Sequence, residues 1–195
     1  MGWARELTSH ENELCQVLGE TIVFWNHVEQ SFRVLLQRAT HIGGPDGRLW
    51  SLIAQLTPVQ LKDAMISIAA DHETDRAEHL IHCAKVFDRE REYRNHYVHG
   101  PITFLTTDTA NEALASSISA RGGSLSIKQA AIPLGELVGY RDRLGALSDY
   151  IKELLEDSRT LRDGKPLSQL NKPNIAPPLP VQKFNWWEVA ATSPQ

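Results

Sequence analysis

The chain has few cysteines and no broad excess of positive charge. Its 195 residues include two cysteines, Cys15 and Cys83, which are too few for a disulfide scaffold and favour a reducing, cytoplasmic compartment. The formal net charge is −4. Proteins that coat nucleic acid without specificity carry a basic surface, because phosphate neutralisation supplies most of that affinity. We therefore expect any nucleic acid to bind at a local site.

A long uninterrupted apolar run is also missing. The longest apolar stretch, TIVFWNHVEQSFRVLL, is broken by Asn26, His27, Glu29 and Arg33, so it cannot span a bilayer. The first residues, MGWARELTSHEN, contain no apolar signal core. With 42% apolar residues, the chain can bury one sizeable core. These features predict a soluble protein with one domain and no membrane association.

Apolar residues recur at helical spacing through most of the first 160 positions. Thr8 and Glu11 stand at capping-box spacing, and Thr57 followed by Pro58 and Gln60 is a second helix start. The predicted fold class is therefore mainly all-α, with about five helices. They are expected near residues 9–39, 48–56, 58–71, 73–99 and 133–161.

The sequence changes character after Gly100-Pro101. The segments ITFLTT and ALASSISARGGSLSIKQAAI are rich in β-branched residues and partly alternating, with Gly122-Gly123 between two runs. This pattern predicts a β-hairpin or small meander, inserted near residues 102–131 before the last helix.

A proline-rich segment follows the helical part of the sequence. Residues 164–195 contain six of the ten prolines and no helical period, so we predict a helical domain over 1–162 and an extended or disordered tail over 163–195. The tail carries Phe184, Trp186 and Trp187. These aromatic residues either fold back onto the domain or dock a regulatory protein partner, since exposed aromatics are unfavourable unless used.

The stretch EREYRNHYVHGP, residues 90–101, concentrates polar groups at a predicted helix end. On a helix, Asn95 and His99 share one face, and Arg94 lies beside the apolar stripe. A histidine can deprotonate an RNA 2′-hydroxyl, and an arginine can stabilise charge on the phosphate, without any metal. The same residues can also simply close a helix, because histidine followed by Gly-Pro is an ordinary helix end.

The motif resembles that of a known superfamily. Arg94-Asn95, three further residues and His99 are similar to the Arg-x4–6-His motif of HEPN (higher eukaryote and prokaryote nucleotide-binding) domains, and ETIVFWNHVEQSFRVLLQ resembles the first long helix of bacterial HEPN-like proteins. The resemblance covers about residues 9–160. It implies a helical homodimer whose paired motifs form a metal-independent endoribonuclease site without a cofactor. His99 would be the base, Arg94 the phosphate ligand and Asn95 the positioning residue.

Further expectations accompany the resemblance. His96 and Tyr97 are predicted to contact the substrate, and members of the superfamily act as toxins, in phage defence or in RNA processing. Two departures stand out: Pro101 replaces the tyrosine of one toxin subfamily, and the strand-rich insert is not part of the minimal core. The alternatives are a non-catalytic module that binds nucleotide, RNA or a protein partner, and a structural helical adaptor.

A second polar stripe suggests a metal site. DHETDRAEHLIHC places His72, Asp75, His79 and Cys83 along one helical stripe, with His79 and Cys83 at chelating spacing. A structural zinc site takes four ligands, usually from more than one element, and the sequence has no second cluster. We therefore predict no metal and a stripe that is solvated or faces a dimer partner, with a metal site as the alternative.

Overall fold

The computed structural model describes residues 6–40, 47–99, 102–107, 110–121, 124–156, 167–178 and 182–184. Helices account for most of these residues, which confirms the prediction of a mainly helical chain. The described helices are α1 (Ser9–Ala39), α2 (Gly47–Gln55), α3 (Pro58–Ala69), α4 (Thr74–His99) and α5 (Leu134–Leu155), followed by a 3-10 turn at Leu167–Gln169.

Both predicted capping boxes are present. The backbone N–H of Thr8 donates to Glu11 Oε2 at 2.8 Å, and the N–H of Glu11 donates to Thr8 Oγ1 at 3.2 Å. At the start of α3, Thr57 and Gln60 exchange the same two bonds at 2.9 and 3.4 Å. Each box satisfies N–H groups that have no partner inside the helix, so these two helix starts follow directly from local sequence.

Four antiparallel strands form one sheet in the order β1-β2-β3-β4. They are β1 (Ile102–Thr107), β2 (Ala110–Arg121), β3 (Ser124–Ile132) and β4 (Gln182–Phe184). Phe184 is the Cα partner of Ile127, so the strand that carries Phe184 is hydrogen-bonded to β3. The remaining tail aromatics, Trp186 and Trp187, lie outside the described residues, as do Gly122 and Gly123.

The chain divides into two compact units, and the divisions fall within α1, α4 and α5. Unit 1 comprises Met1–Ile22, Glu92–Arg141 and Pro178–Gln195; it includes all four strands and the end of α4. Unit 2 comprises Val23–Arg91 and Asp142–Pro177.

The core of unit 2 is built around an aromatic stack. The Phe87 ring lies between Trp25 and Phe32, with centroid distances of 5.1 and 4.2 Å. All three side chains are at most 1% exposed. Aliphatic residues from α1, α3, α4 and α5 complete this core: Leu35, Leu36, Leu61, Met65, Leu80, Leu144, Leu147, Ile151 and Leu154.

Part of the predicted tail belongs to unit 2. Leu167 and Ala176 are buried, and the carbonyl oxygen of Pro173 lies 2.8 Å from Nε2 of His82. Lys172 Nζ donates to Glu78 Oε2 at 3.4 Å. Residues 171–178 form no helix or strand, so this segment, which we call the strap (residues 167–177), is held by side-chain contacts to α4.

None of the helices in the described part of the chain combines the length and the apolar character that crossing a membrane requires.

Candidate active site

The predicted catalytic residues occupy the last two turns of α4, in unit 1. Arg94 and Asn95 are both partly buried, and Arg94 Nη1 donates to Asn95 Oδ1 at 3.2 Å. The amide oxygen therefore holds the guanidinium near the helix surface, where both groups keep some access to solvent. The third residue, His99, is the last residue of α4; its side chain, like that of Val98, lies outside the described part of the structure.

Three tyrosines fix the end of α4 to the beginning of α5. The Tyr140 ring of α5 lies 5.6 Å from the rings of both Tyr93 and Tyr97, which are themselves 6.0 Å apart. Tyr97 is 1% exposed and Tyr140 is fully buried. Tyr97 Oη also donates to Glu136 Oε2 at 3.5 Å, a long bond at the edge of the cluster. We call Tyr93, Tyr97 and Tyr140 the tyrosine cluster.

The predicted substrate contacts, His96 and Tyr97, are both buried. His96 is 7% exposed, and its ring meets the Tyr97 ring edge-on at a centroid distance of 5.5 Å. A ring that is 1% exposed has no surface to offer a ligand. In the described conformation Tyr97 therefore packs the helix end, and substrate contact by His96 and Tyr97 stays a prediction.

Glu90 precedes the motif by one turn and carries a buried carboxylate in unit 2. Arg143 Nε donates to both of its oxygens, at 3.0 and 3.3 Å, and Glu90 is fully buried. Burial raises the pKa of Glu90, while the hydrogen bond and the charge of Arg143 oppose that shift. Glu90 stands one helical turn before Arg94 in the sequence. Its cationic partner in the structure is Arg143.

The histidine stripe of α4 and its N-terminal flank makes hydrogen bonds within unit 2. Nε2 of His72 lies 2.9 Å from the carbonyl oxygen of Ala39, and Nδ1 of His79 lies 2.7 Å from Tyr150 Oη. Cys83 is fully buried, and burial raises the pKa of its thiol. Among the described residues, no group of three or more His, Cys, Asp or Glu side chains is arranged to hold a metal ion.

The tyrosine cluster was not predicted, although two of its members, Tyr93 and Tyr97, lie in the stretch EREYRNHYVHGP. Tyr93 and Tyr97 stand at i, i+4 spacing, which places them on one face of α4 and marks a pair that can pack together. Their partner Tyr140 is 43 positions beyond Tyr97 in the chain. Only tertiary structure brings it to that face.

No family model, no curated protein and no solved structure matches this chain. The candidate site therefore stands on the motif spacing and on the geometry of Arg94, Asn95 and the tyrosine cluster.

Proposed function

We propose that this protein is a HEPN-like, metal-independent endoribonuclease that works as a homodimer, in toxin activity, phage defence or RNA processing. The observation that carries the proposal is the placement of Arg94 and Asn95, partly exposed and hydrogen-bonded to each other, in the turns that lead to His99 at the end of α4. The β-strand region is then an insertion into a helical family core.

A second copy supplies what one helix cannot. At about 100° per residue, Arg94 and His99 lie roughly 140° apart around α4, so one helix does not aim both side chains at the same phosphate. Two α4 ends related by a two-fold axis can direct Arg94 of one copy and His99 of the other to one point. Such a composite site needs few charges, which suits a chain of net charge −4.

The reaction that these residues support is transfer of a phosphodiester to the neighbouring 2′-oxygen. His99 takes the proton of the RNA 2′-hydroxyl, and the 2′-oxygen forms a bond to phosphorus as the bond to the 5′-oxygen breaks. The leaving 5′-oxygen takes a proton from water, which gives a 2′,3′-cyclic phosphate and a 5′-hydroxyl. Arg94 stabilises the charge on the phosphate oxygens in the transition state.

Cleavage of single-stranded RNA in the presence of EDTA tests this proposal. We expect His99→Ala and Arg94→Ala each to reduce the rate at least about 100-fold, the usual contribution of a general base or a preorganised cation. His27→Ala and Arg48→Ala, at exposed positions, are the matched controls and should cleave at the wild-type rate. Equal cleavage by all four variants, or activity that EDTA abolishes, would contradict the assignment.

Mixing the two inactive variants tests the composite site. If Arg94 and His99 act across the dimer, a heterodimer of the Arg94→Ala and His99→Ala chains contains one intact site. Random reassortment of equal amounts should then restore about a quarter of the wild-type rate. No recovery, with subunit exchange verified by two differently labelled chains, would place each site within a single chain.

A non-catalytic binding module is the alternative that the same assay identifies. RNA that binds to the wild-type chain without being cleaved, with an affinity that falls in the Arg94→Ala variant, would show a binding role for the motif.

A further inference from the structure

The strap contacts α4 close to a buried histidine. Lys172 Nζ donates to Glu78 Oε2 at 3.4 Å. The next strap residue, Pro173, has its carbonyl oxygen 2.8 Å from Nε2 of His82. Glu78 and His82 stand one position before and three positions after His79, so both contacts lie within one helical turn of it. The strap therefore crosses α4 beside the buried imidazole, which is 3% exposed.

Tyr150 of α5 contacts the same two histidines. Its hydroxyl lies 2.7 Å from Nδ1 of His79 and donates to the His79 carbonyl oxygen at 3.4 Å. Its ring centroid is 5.9 Å from that of His79 and 6.1 Å from that of His82. While it donates to the carbonyl oxygen, the hydroxyl can accept from a protonated Nδ1. Protonation of His79 therefore keeps this hydrogen bond and adds a charge.

That added charge lies near the cation of the strap. Burial lowers the pKa of His79, and the charges of Lys172 and His82 lower it further. Asp75 and Glu78, on the same helix, oppose this shift. Among these charged groups Lys172 belongs to the strap, so docking of the strap contributes to the resistance of His79 to protonation.

The other titratable groups beside His79 stay neutral between pH 5 and 8. Burial raises the pKa of the Cys83 thiol, and burial together with Cys83 raises the pKa of Tyr150. Both groups lose their protons only in alkaline solution, so neither can balance a charge on His79 in this range.

The structure of the strap allows it to leave α4 locally. Leu167 and Ala176 are buried, and most of the described residues between them are exposed. Residues 171–177 belong to no helix or strand, so no backbone ladder holds them. Segments of this kind open at a lower free energy than the helical core to which they are attached.

We propose that the strap is an acid-released latch: protonation of His79 dissociates the strap from α4 while the helices of the chain remain folded. The inference does not rest on the proposed endoribonuclease function. β4 begins five positions after Pro177, so at neutral pH the latch holds the described segment that precedes this strand.

His82 contributes a contact that persists in acid. A carbonyl oxygen only accepts, so Nε2 of His82 carries the proton in the bond to Pro173. Nε2 keeps that proton when the ring becomes charged. This hydrogen bond therefore does not release the strap as pH falls, and the proton that drives release is the one taken up by His79.

Docking and protonation are linked in both directions. If docking lowers the pKa of His79, protonation of His79 weakens docking by the same factor. Each unit of difference between the released and docked pKa values changes the ratio of docked to released chains tenfold. The contribution of a neutral His79 to docking is fully present above its ordinary pKa of 6.5 and is lost as pH falls below it.

Nuclear magnetic resonance of the full chain tests the latch by following the histidine and the strap separately. The ring nitrogens of ¹⁵N-labelled His79 report its protonation, and the methyl group of ¹³C-labelled Ala176, which is 5% exposed, reports docking. His79→Gln and Ala176→Gly assign the two signals. Between pH 7.5 and 5 we expect the methyl shift to move to its solvent-exposed value together with protonation of His79, while far-UV circular dichroism keeps its helical intensity.

Two histidine variants identify the residue that drives release. His79→Gln takes up no proton, so its strap should stay docked at pH 5. His82→Gln keeps an N–H for the Pro173 carbonyl oxygen and leaves His79 unchanged, so its strap should still be released. His27→Gln, at an exposed position, is the control and should be released as in the wild type.

Leu167→Ala tests the reciprocal effect without changing any charge. Loss of a buried side chain weakens docking, so release should occur at a higher pH, and the pKa of His79 should move up towards 6.5. Leu52→Ala, which changes a 64% exposed side chain, should leave both quantities unchanged. This comparison holds even if His79→Gln is too unstable to study.

Four results would overturn the inference: an Ala176 methyl signal that does not change down to pH 5, release that is equal in His79→Gln and the wild type, release that occurs only together with loss of helical circular dichroism, or a His79 pKa that Leu167→Ala leaves unchanged. None of these measurements uses RNA, so they are independent of the outcome of the cleavage assay.

Discussion

At the scale of single residues, His79 is a buried titratable group that couples the stability of unit 2 to pH. It is 3% exposed, and Nδ1 lies 2.7 Å from Tyr150 Oη. Burial lowers its pKa from the ordinary value of 6.5, and the charges of Lys172 and His82 lower it further, against the opposing carboxylates of Asp75 and Glu78.

The sign of the pH dependence follows from that shift. Below pH 6.5 the unfolded chain takes up a proton at His79 that the folded chain resists, so the free energy of unfolding falls as pH drops towards the folded pKa. Each unit of lowering is worth about 1.4 kcal/mol. We expect His79→Gln to flatten urea-derived stability between pH 7.5 and 5, whereas His27→Gln, at an exposed position, keeps the slope. An identical slope in His79→Gln and the wild type would contradict this.

At the scale of secondary-structure elements, the end of α4 depends on α5. Tyr97→Ala removes a 1% exposed ring from the tyrosine cluster and should cost about 3–5 kcal/mol. Tyr97→Phe keeps the ring packing and removes the hydroxyl that donates to Glu136 at 3.5 Å, so it should cost about 1 kcal/mol. Chemical denaturation measures both, and amide exchange over residues 92–99 should accelerate in the alanine variant alone. Equal costs would show that the cluster does not anchor the helix.

At this scale, the sequence alone predicts the features that depend on interactions between residues close together in the chain. The capping boxes at Thr8 and Thr57 involve residues three positions apart, and both were predicted correctly. The Glu90–Arg143 pair joins residues 53 positions apart. The same limit applies to the tyrosine cluster, because helical spacing identifies a face of α4 but not the element that covers it.

The candidate site also combines features that follow from local sequence with features that need tertiary structure. Residue types and spacing suffice to select Arg94, Asn95 and His99, but burial of Tyr97 becomes evident only with α5 in place. The full sheet was not predicted, because its fourth strand, β4, comes from far along the chain. That strand lies in a segment that the sequence describes only as proline-rich, and no local pattern pairs Lys183 with Lys128.

At the scale of the whole molecule, the segment after α5 has two different roles. The strap contributes buried Leu167 and Ala176 to unit 2, whereas β4 belongs to unit 1. A chain that ends at Pro178 should therefore keep unit 2 intact. A chain that ends at residue 163 loses the burial of Leu167, worth about 1.5–3 kcal/mol.

We expect the shorter chain to melt about 3–12 °C lower than the chain that ends at Pro178, given roughly 2–4 °C per kcal/mol for a chain of this size. Differential scanning calorimetry measures the difference, and Leu167→Ala in the full chain is the matched single change. Indistinguishable melting temperatures for the two truncated chains would show that the strap contributes no stability.

The pairing of β3 with β4 sets an order of events during synthesis. The residues of β3 emerge about 50 positions before those of β4, and until then the hydrogen-bonding edge of Ile127–Gln129 has no partner from β4. A growing chain therefore exposes an open sheet edge, the kind of edge that recruits other strands. Completion of β4 then covers the edge of Ile127–Gln129 and ends that exposure.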